Sequence, residues 1–209
     1  MDLLPCVHII EDDDAVRDSL QMMLESIGQK TKAFANADSF LSIYNQEMAG
    51  CIVLDIRMPG MNGMELQRQL NELNSILPII FVTGHGDVPM AVEAMQQGAI
   101  DFVQKPYREQ ELLDKIATAM ALDEDNRASL QQRQLIMQRM NDLTPRERDV
   151  MQLMVEGKAN KVIAIDLEIS QRTVEIHRAR VMEKLNANSL AHLVRMFMAV
   201  EGQLTSNPE

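Results

Sequence analysis

The sequence predicts two domains of different class: an α/β domain, doubly wound about a five-stranded parallel sheet, followed by an all-α domain of four helices. Three observations predict this. Short apolar runs alternate with longer amphipathic stretches as far as Pro106. Beyond that proline no strand pattern occurs. The charge is also divided. Residues 1–126 hold 8 Lys/Arg against 21 Asp/Glu, residues 127–140 hold three Arg and no acid, and residues 141–209 hold 9 Lys/Arg against 10 Asp/Glu. The formal charge of −11 over 209 residues therefore belongs to the first part, and the acidic total does not exclude a polyanionic partner for the second.

Strands are expected at Cys6–Ile10, Lys30–Ala35, Cys51–Ile56, Pro78–Thr83 and Asp101–Lys105. Helical patterns lie between them at 14–27, 36–47, 62–74 and 86–97, and a fifth follows Pro106. Strands alternating with helices argue for an open parallel sheet, and right-handed crossovers put helices on both faces. His8 sits within the first strand and reads as structural. Cys6 and Cys51 lack metal-ligand spacing and read as buried, reduced thiols. The apolar runs Cys51–Leu54 and Pro78–Val82 are too short to span a bilayer. The N-terminus has no basic stretch followed by a long apolar one. A cytoplasmic protein with no membrane partner is expected.

Residues 107–144 form a stretch of 38 without Gly or Pro, rich in helix formers. The fifth helix is expected to continue into a linker or to be followed by a second helix. Asp123-Glu124-Asp125-Asn126 interrupts the apolar stripe and is the expected hinge. The expected boundaries are a first domain at 1–120, a helical linker at 121–141 and a second domain at 142–209.

Thr144-Pro145-Arg146-Glu147 starts the second domain as a capping box, with proline at the first helical position. Val150, Leu153 and Met154 give that helix its apolar face, and Gly157 ends it. A short helix near 160–167 turns Ile163, Ala164 and Leu167 inward. Ser170 caps a third helix running to about Leu185 on Val174 and Val181. The last runs from about Ser189 to Val200 through Leu190, Leu193, Val194 and Phe197. The tight turn between the second and third makes this a helix-turn-helix. Met196, Phe197 and Met198 either complete its core or offer an apolar dimer surface. The tail Thr205–Glu209 is expected to be disordered.

Chemistry converges at the strand ends. In an open α/β sheet ligands bind beyond the carboxyl ends of the strands. There stand Glu11 and Asp12, Asp55, Thr83 and Lys105. Clustered carboxylates repel and favour a cation, and oxygen ligands favour hard Mg²⁺. A carboxylate can attack phosphorus, a lysine can neutralise phosphoryl charge, and a threonine hydroxyl can bond a phosphoryl oxygen. Asp13 and Asp14 lie beyond the site and suit a helix N-terminus. A phosphatase with an aspartate nucleophile wants a second acid two residues later, where Arg57 stands.

These residues carry a family resemblance. Leu54-Asp55-Ile56-Arg57-Met58-Pro59-Gly60-Met61-Asn62-Gly63 resembles the phosphorylation loop of receiver domains. Thr83-Gly84-His85-Gly86, Gly98-Ala99-Ile100-Asp101-Phe102 and Lys105-Pro106 match the rest of that pattern, over roughly residues 5–120. The resemblance implies a flavodoxin-like receiver with Asp55 as phosphoacceptor. It implies Mg²⁺, with Mn²⁺ able to substitute, held by Asp12, Asp55 and the backbone carbonyl of Arg57, with Glu11 as the second acidic member, reaching the metal through water or directly. It implies Lys105 on the phosphoryl group, and Thr83 with Phe102 as the switch pair. Many members have Asp where Glu11 stands and Tyr where Phe102 stands. His85 lies beside the site.

The third helix of the second domain carries four cations against two acids between Arg172 and Lys184. Phosphate contacts supply affinity, and side chains near the helix N-terminus reach base edges. Glu175 can accept from cytosine N4, and Ile176 can touch a thymine methyl. Leu143 to Phe197 resembles the DNA-binding domain of NarL/FixJ, or LuxR-type, regulators. Thr173-Val174-Glu175-Ile176-His177-Arg178 and Ser189-Leu190-Ala191-His192-Leu193-Val194-Arg195 are similar to the FixJ branch. The chain also resembles, with no single motif carrying it, regulators of aromatic-hydrocarbon catabolism of the styrene type. The resemblance implies that Glu175, Ile176 and Ala179 face bases, while Lys161, Thr173, His177, Arg178 and Arg180 face the DNA backbone. Some NarL-like members have lysine where Glu175 and Ala179 stand, so weak monomer binding is expected here. The whole implies a two-component response regulator and not an enzyme beyond its own phosphorylation and dephosphorylation. Its partners are a cognate sensor histidine kinase, promoter DNA with inverted half-sites, and a second copy of itself on phosphorylation, for transcriptional activation.

Overall fold

The computed structural model describes residues 4–84 and 88–204, the side chains of 202–204 excepted. His85, the expected helix start at 86 and the tail Thr205–Glu209 lie outside the described residues. The chain divides into two compact units, Met1–Arg127 and Ala128–Glu209.

The first unit alternates β1 (Cys6–Ile10), α1 (Asp14–Ser26), β2 (Thr31–Phe34), α2 (Ala37–Leu41), β3 (Gly50–Leu54), α3 (Gly63–Glu72), β4 (Ile79–Thr83), α4 (Val88–Gln96) and β5 (Asp101–Gln104), then the start of α5 (Glu109–Asn141). The strands pair in parallel in the order β2-β1-β3-β4-β5. Strand side chains alternate in direction. Ile10, Ile52, Leu54 and Phe81 therefore pack with Phe40 and Leu66 on one face, and Val7, Ile9, Val53 and Ile80 pack with Leu24, Leu112 and Ile116 on the other. The central strands β1, β3 and β4 are buried throughout, which is why they read as apolar runs.

The order reverses direction at β1, so the carboxyl ends of β1 and β3 flank the sheet's crevice. Both cysteines are free and buried. His8 is 1% exposed and meets Phe40 edge-on, ring centroids 5.7 Å apart. Burial pushes its pKa down to about 4, which keeps the imidazole neutral.

Two elements differ from expectation. The second helix stops at Leu41, because Ser42–Tyr44 turn back on Asp38 and Phe40 and the Asn45 side chain then takes the Glu47 N–H. The fifth helix is one piece of 33 residues and passes through Asp123–Asn126, where a hinge was expected. Asp123 does not break the helix because it is buried at 2% exposure with partners of its own.

In the second unit the end of α5 is followed by α6 (Pro145–Val155), α7 (Asn160–Asp166), α8 (Gln171–Lys184) and α9 (Leu190–Leu204). Ile136, Met140 and Leu143 join Val150, Met154, Ile163, Val174, Val181, Leu185 and Leu193 in one core. Met196 and Phe197 complete that core, whereas Met198 is 66% exposed. Leu190, expected inside, is 40% exposed, because it opens its helix ahead of the packed turn at Leu193.

The capping box of α6 forms as expected: Thr144 Oγ1 takes the Glu147 N–H, and Glu147 returns a bond to the Thr144 N–H. Glu147 is 2% exposed and also receives Lys184 Nζ at 2.7 Å. The lysine bond, helped by Thr144, holds this carboxyl down to about 2. A lowered carboxyl pKa contributes stability that is complete above its ordinary value near 4.5 and is lost as pH falls toward 2. The melting temperature of the second unit, followed in the full chain, should therefore exceed that of Glu147→Gln at neutral pH. The gap should close between about pH 4.5 and 2.

Candidate functional site

Asp55 follows β3 directly, and its N–H bonds the Ile10 carbonyl at the end of β1 at 2.9 Å. That backbone bond brings the two strand ends together. Glu11 is held by its own N–H on the Phe34 carbonyl at 3.1 Å and by Arg17 Nη1 on its carbonyl at 2.8 Å. As a result Glu11, Asp12 and Asp55 each offer an oxygen within 4.8 Å of the others. Asp13 lies outside the group and caps α1, accepting from Ala15 and Val16, while Asp14 pairs with Arg17 in the first turn.

Lys105 enters from the end of β5, next to a cis peptide bond to Pro106. Its N–H bonds the Thr83 carbonyl at 2.8 Å. Its Nζ lies 2.6 Å from Glu11 Oε2 and 3.7 Å from Asp55 Oδ2. Burial pushes the Glu11 carboxyl pKa up, Lys105 opposes that, and the neighbouring Asp55 and Asp12 charges add to it. Three carboxylates face one ammonium, so the site keeps an excess of negative charge on hard oxygen donors. That donor set fits a hard divalent cation.

Asp55 Oδ1 accepts from the Ile56 N–H at 2.7 Å and from the Arg57 N–H at 3.4 Å. The Arg57 side chain is exposed, so this residue turns its backbone toward Asp55. Gly63 starts α3 under the same loop with its N–H on the Ile56 carbonyl at 2.9 Å. A Cβ there would lie 2.3 Å from the Asp55 carbonyl oxygen. That close approach was missed in the sequence, where Gly63 reads only as part of a motif.

Thr83 is 1% exposed at the end of β4. Phe102 pairs in register with Phe81, two residues before Thr83, so Thr83, Phe81 and Phe102 share one face of the sheet. Phe102 is half-buried against the core, with its ring centroid 6.5 Å from that of Phe81. A cavity of about 740 Å³ opens beside the rim and is lined by Asp12, Arg57, Met58, Arg68, Met90 and Glu93 among others.

In the second unit Glu168, with φ 55°, turns the chain between α7 and α8, and Ser170 caps α8 by taking the Thr173 N–H at 3.0 Å. Glu175, Ile176, Ala179 and Arg180 are exposed on α8, Thr173, His177 and Arg178 are half-buried, and Lys161 is exposed on α7. Among the described residues Lys161, Arg178 and Arg180 form no ion pair. The local positive charge is narrower than the sequence count. Arg172 pairs with Glu175 at 3.1 Å, and Lys184 turns inward to Glu147 and the Asp142 carbonyl. His177 Nδ1 is buried and has no hydrogen-bond partner among the described residues.

Known proteins match both units. The model of the response regulator receiver domain matches residues 7–117, and that of the bacterial regulatory proteins of the luxR family matches residues 141–197. The transcriptional regulatory protein FixJ of Rhizobium meliloti is 46% identical over 92% of this chain and 95% of its own length. The response regulator protein TodT of Pseudomonas putida is 41% identical over 91% of this chain and 84% of its own. Among solved structures, the response regulator StyR superposes with a TM-score of 0.82 at 44% identity, covering 93% of this chain and 98% of that one.

Gly63→Ala should push the Asp55 carbonyl away and disturb the loop that carries the carboxylate. The expected result is a melting temperature lowered by several degrees, read by thermal unfolding of the full chain.

Proposed function

The chain belongs to the two-component response regulators that join a receiver to a LuxR-type DNA-binding domain, and from that premise we propose that a sensor histidine kinase phosphorylates Asp55 to control dimerisation and promoter binding, in the direction of transcriptional activation. One observation carries the reading: Lys105 Nζ lies 2.6 Å from Glu11 and 3.7 Å from Asp55, within a cluster of three carboxylates at the strand ends.

Asp55 Oδ1 is occupied by two backbone N–H groups, which leaves Oδ2, on the Lys105 side, as the nucleophile. This oxygen attacks phosphorus. The bond from phosphorus to the donor imidazole nitrogen breaks, and the imidazole leaves with its electron pair and takes up a proton. Glu11, Asp12, Asp55 and the Arg57 carbonyl would hold Mg²⁺, or Mn²⁺ in its place. The bound cation neutralises charge on the transferring phosphoryl group. Lys105 transfers its attraction from Glu11 and Asp55 to the phosphoryl oxygens. The Thr83 hydroxyl bonds one of those oxygens, and Phe102, on the same sheet face, changes rotamer. The surface made by α4, β5 and α5 then favours a second copy. A swing from about 1:99 to 99:1 needs roughly 5.5 kcal/mol of differential stabilisation, which a phosphoryl group coupled to dimer formation can supply.

In the DNA complex Lys161, Thr173, His177, Arg178 and Arg180 contact phosphates, and Glu175, Ile176 and Ala179 face base edges. Arg172 contacts only Oε2 of Glu175 in an exposed pair, which leaves Oε1 to accept from a base. Two domains together read inverted half-sites, which offsets the weak grip of one. No helix among the described residues is long and apolar enough to cross a membrane; promoter binding by the LuxR-type domain is what favours the cytoplasm as the place of action.

The deciding measurement follows oligomeric state and promoter binding with and without a small phosphodonor and Mg²⁺. Wild type should dimerise and bind more tightly with the donor, while Asp55→Asn should not respond. Equal behaviour of the two would refute the assignment. In the same assay Arg178→Ala should weaken binding to all sequences alike and reduce the salt slope by about one. An unchanged slope would remove Arg178 from the DNA interface.

A further inference from the structure

The stripe that docks α5 on the sheet runs through Leu112, Ile116 and Ala119 at helical spacing, and its next position is Asp123. This carboxylate is 2% exposed. Its Oδ2 accepts the Gly50 N–H at 2.8 Å and Arg127 Nε at 2.7 Å. The Arg127 guanidinium also donates to the Met48 carbonyl. Oδ1 is buried with no hydrogen-bond partner among the described residues. Gly50 itself has φ +115°, and a Cβ on it would overlap the Cys6 carbonyl oxygen at 1.9 Å. Asp123 therefore meets bare backbone at the first residue of β3, the strand whose other end leads into Asp55.

A leucine at 123 would complete the stripe with no charge taken out of water. Buried ion pairs replaced by apolar residues of similar size often leave a fold as stable or more so. What the carboxylate adds is direction. Apolar contacts tolerate a helix that slides or rotates a little, whereas the Gly50 N–H and the Arg127 fork accept the carboxylate in one place. Arg127 is the last residue of the first unit, and around it the apolar support has ended: Leu122 is 41% exposed, and Ala128 and Ser129 are exposed.

We propose that Asp123 and Arg127 are positioning residues for signal output: a polar latch that fixes the register and rotation of α5 in its last turns on the receiver. Without it, phosphorylation of Asp55 is not converted into tighter DNA binding. The proposal rests on the Asp55 switch described above and adds to it the place where the receiver grips its outgoing helix.

The test uses the full chain in three forms: wild type, Arg127→Ala, and the double variant Asp123→Leu with Arg127→Met. Three quantities are read: the rate of Asp55 phosphorylation by a small phosphodonor with Mg²⁺, the ratio of promoter affinity with and without phosphorylation, and the melting temperature. Both variants should be phosphorylated within about twofold of wild type, and their affinity ratio should fall about tenfold or more. Asp123→Leu leaves the Gly50 N–H without its acceptor, so the double variant should melt within a few degrees of wild type and stay folded at the assay temperature, which separates positioning from stability. An affinity ratio within about twofold of wild type in both variants would overturn the latch, and so would a loss of phosphorylation that accounts for the whole change. If Arg127→Ala alone folds, its ratio decides. A wild type with no phosphorylation-dependent gain refutes the Asp55 reading instead, and the latch falls with it.

Discussion

Carboxylate repulsion is the constraint on which the receiver depends. Glu11, Asp12 and Asp55 bring oxygens within 4.8 Å of one another, where like charges repel. The arrangement persists because parallel β1 and β3 end side by side and because the Asp55 N–H is bonded to the Ile10 carbonyl. The stress is partly relieved by Lys105, the cation delivered by the end of β5. The fold thus stores an electrostatic imbalance at one rim and covers the opposite faces with two apolar cores. A group that brings positive charge to that rim has more to gain there than on an ordinary acidic surface.

Much of this was legible in the sequence. β1 could be bounded at Cys6–Ile10 because a central strand, buried on both faces, is a continuous apolar run between polar residues. The strand ends then named Glu11, Asp55, Thr83 and Lys105, since topology alone places those ends together. The helix starts at Thr144 and Ser170 were legible from side chains that bond their own backbone. What remained hidden was pairing between distant residues. Nothing local says that Lys184 turns in to Glu147, 37 residues away, or that Asp123 reaches Gly50, 73 residues away. A charge in a stripe reads as an interruption until its partner is known. Gly63 was hidden for the same reason, because its lack of a side chain matters only through the Asp55 carbonyl above it.

The two units manage buried charge in different ways. In the receiver the acidic rim is left under-compensated and partly open, which suits chemistry. In the DNA-binding unit the buried Glu147 carboxylate is paired: its Oε2 accepts the Thr144 N–H at the helix N-terminus and Lys184 Nζ, while its own N–H bonds the Thr144 hydroxyl. That network holds structure and leaves nothing over to react.

The same network has a further consequence. α8 is gripped at its C-terminal end: Lys184 bonds Glu147 and the Asp142 carbonyl, and Arg139 reaches the Leu185 carbonyl at 3.3 Å. Between its N-cap and that grip it is seated on Val174 and Val181, while Glu175, Ile176, Ala179 and Arg180 project from it. The helix is built like a key, with its bow clamped in the lock plate and its teeth free. New teeth can be cut without remaking the bow. Substitutions at these exposed positions therefore change the surface that α8 presents while leaving its anchoring bonds and core contacts untouched.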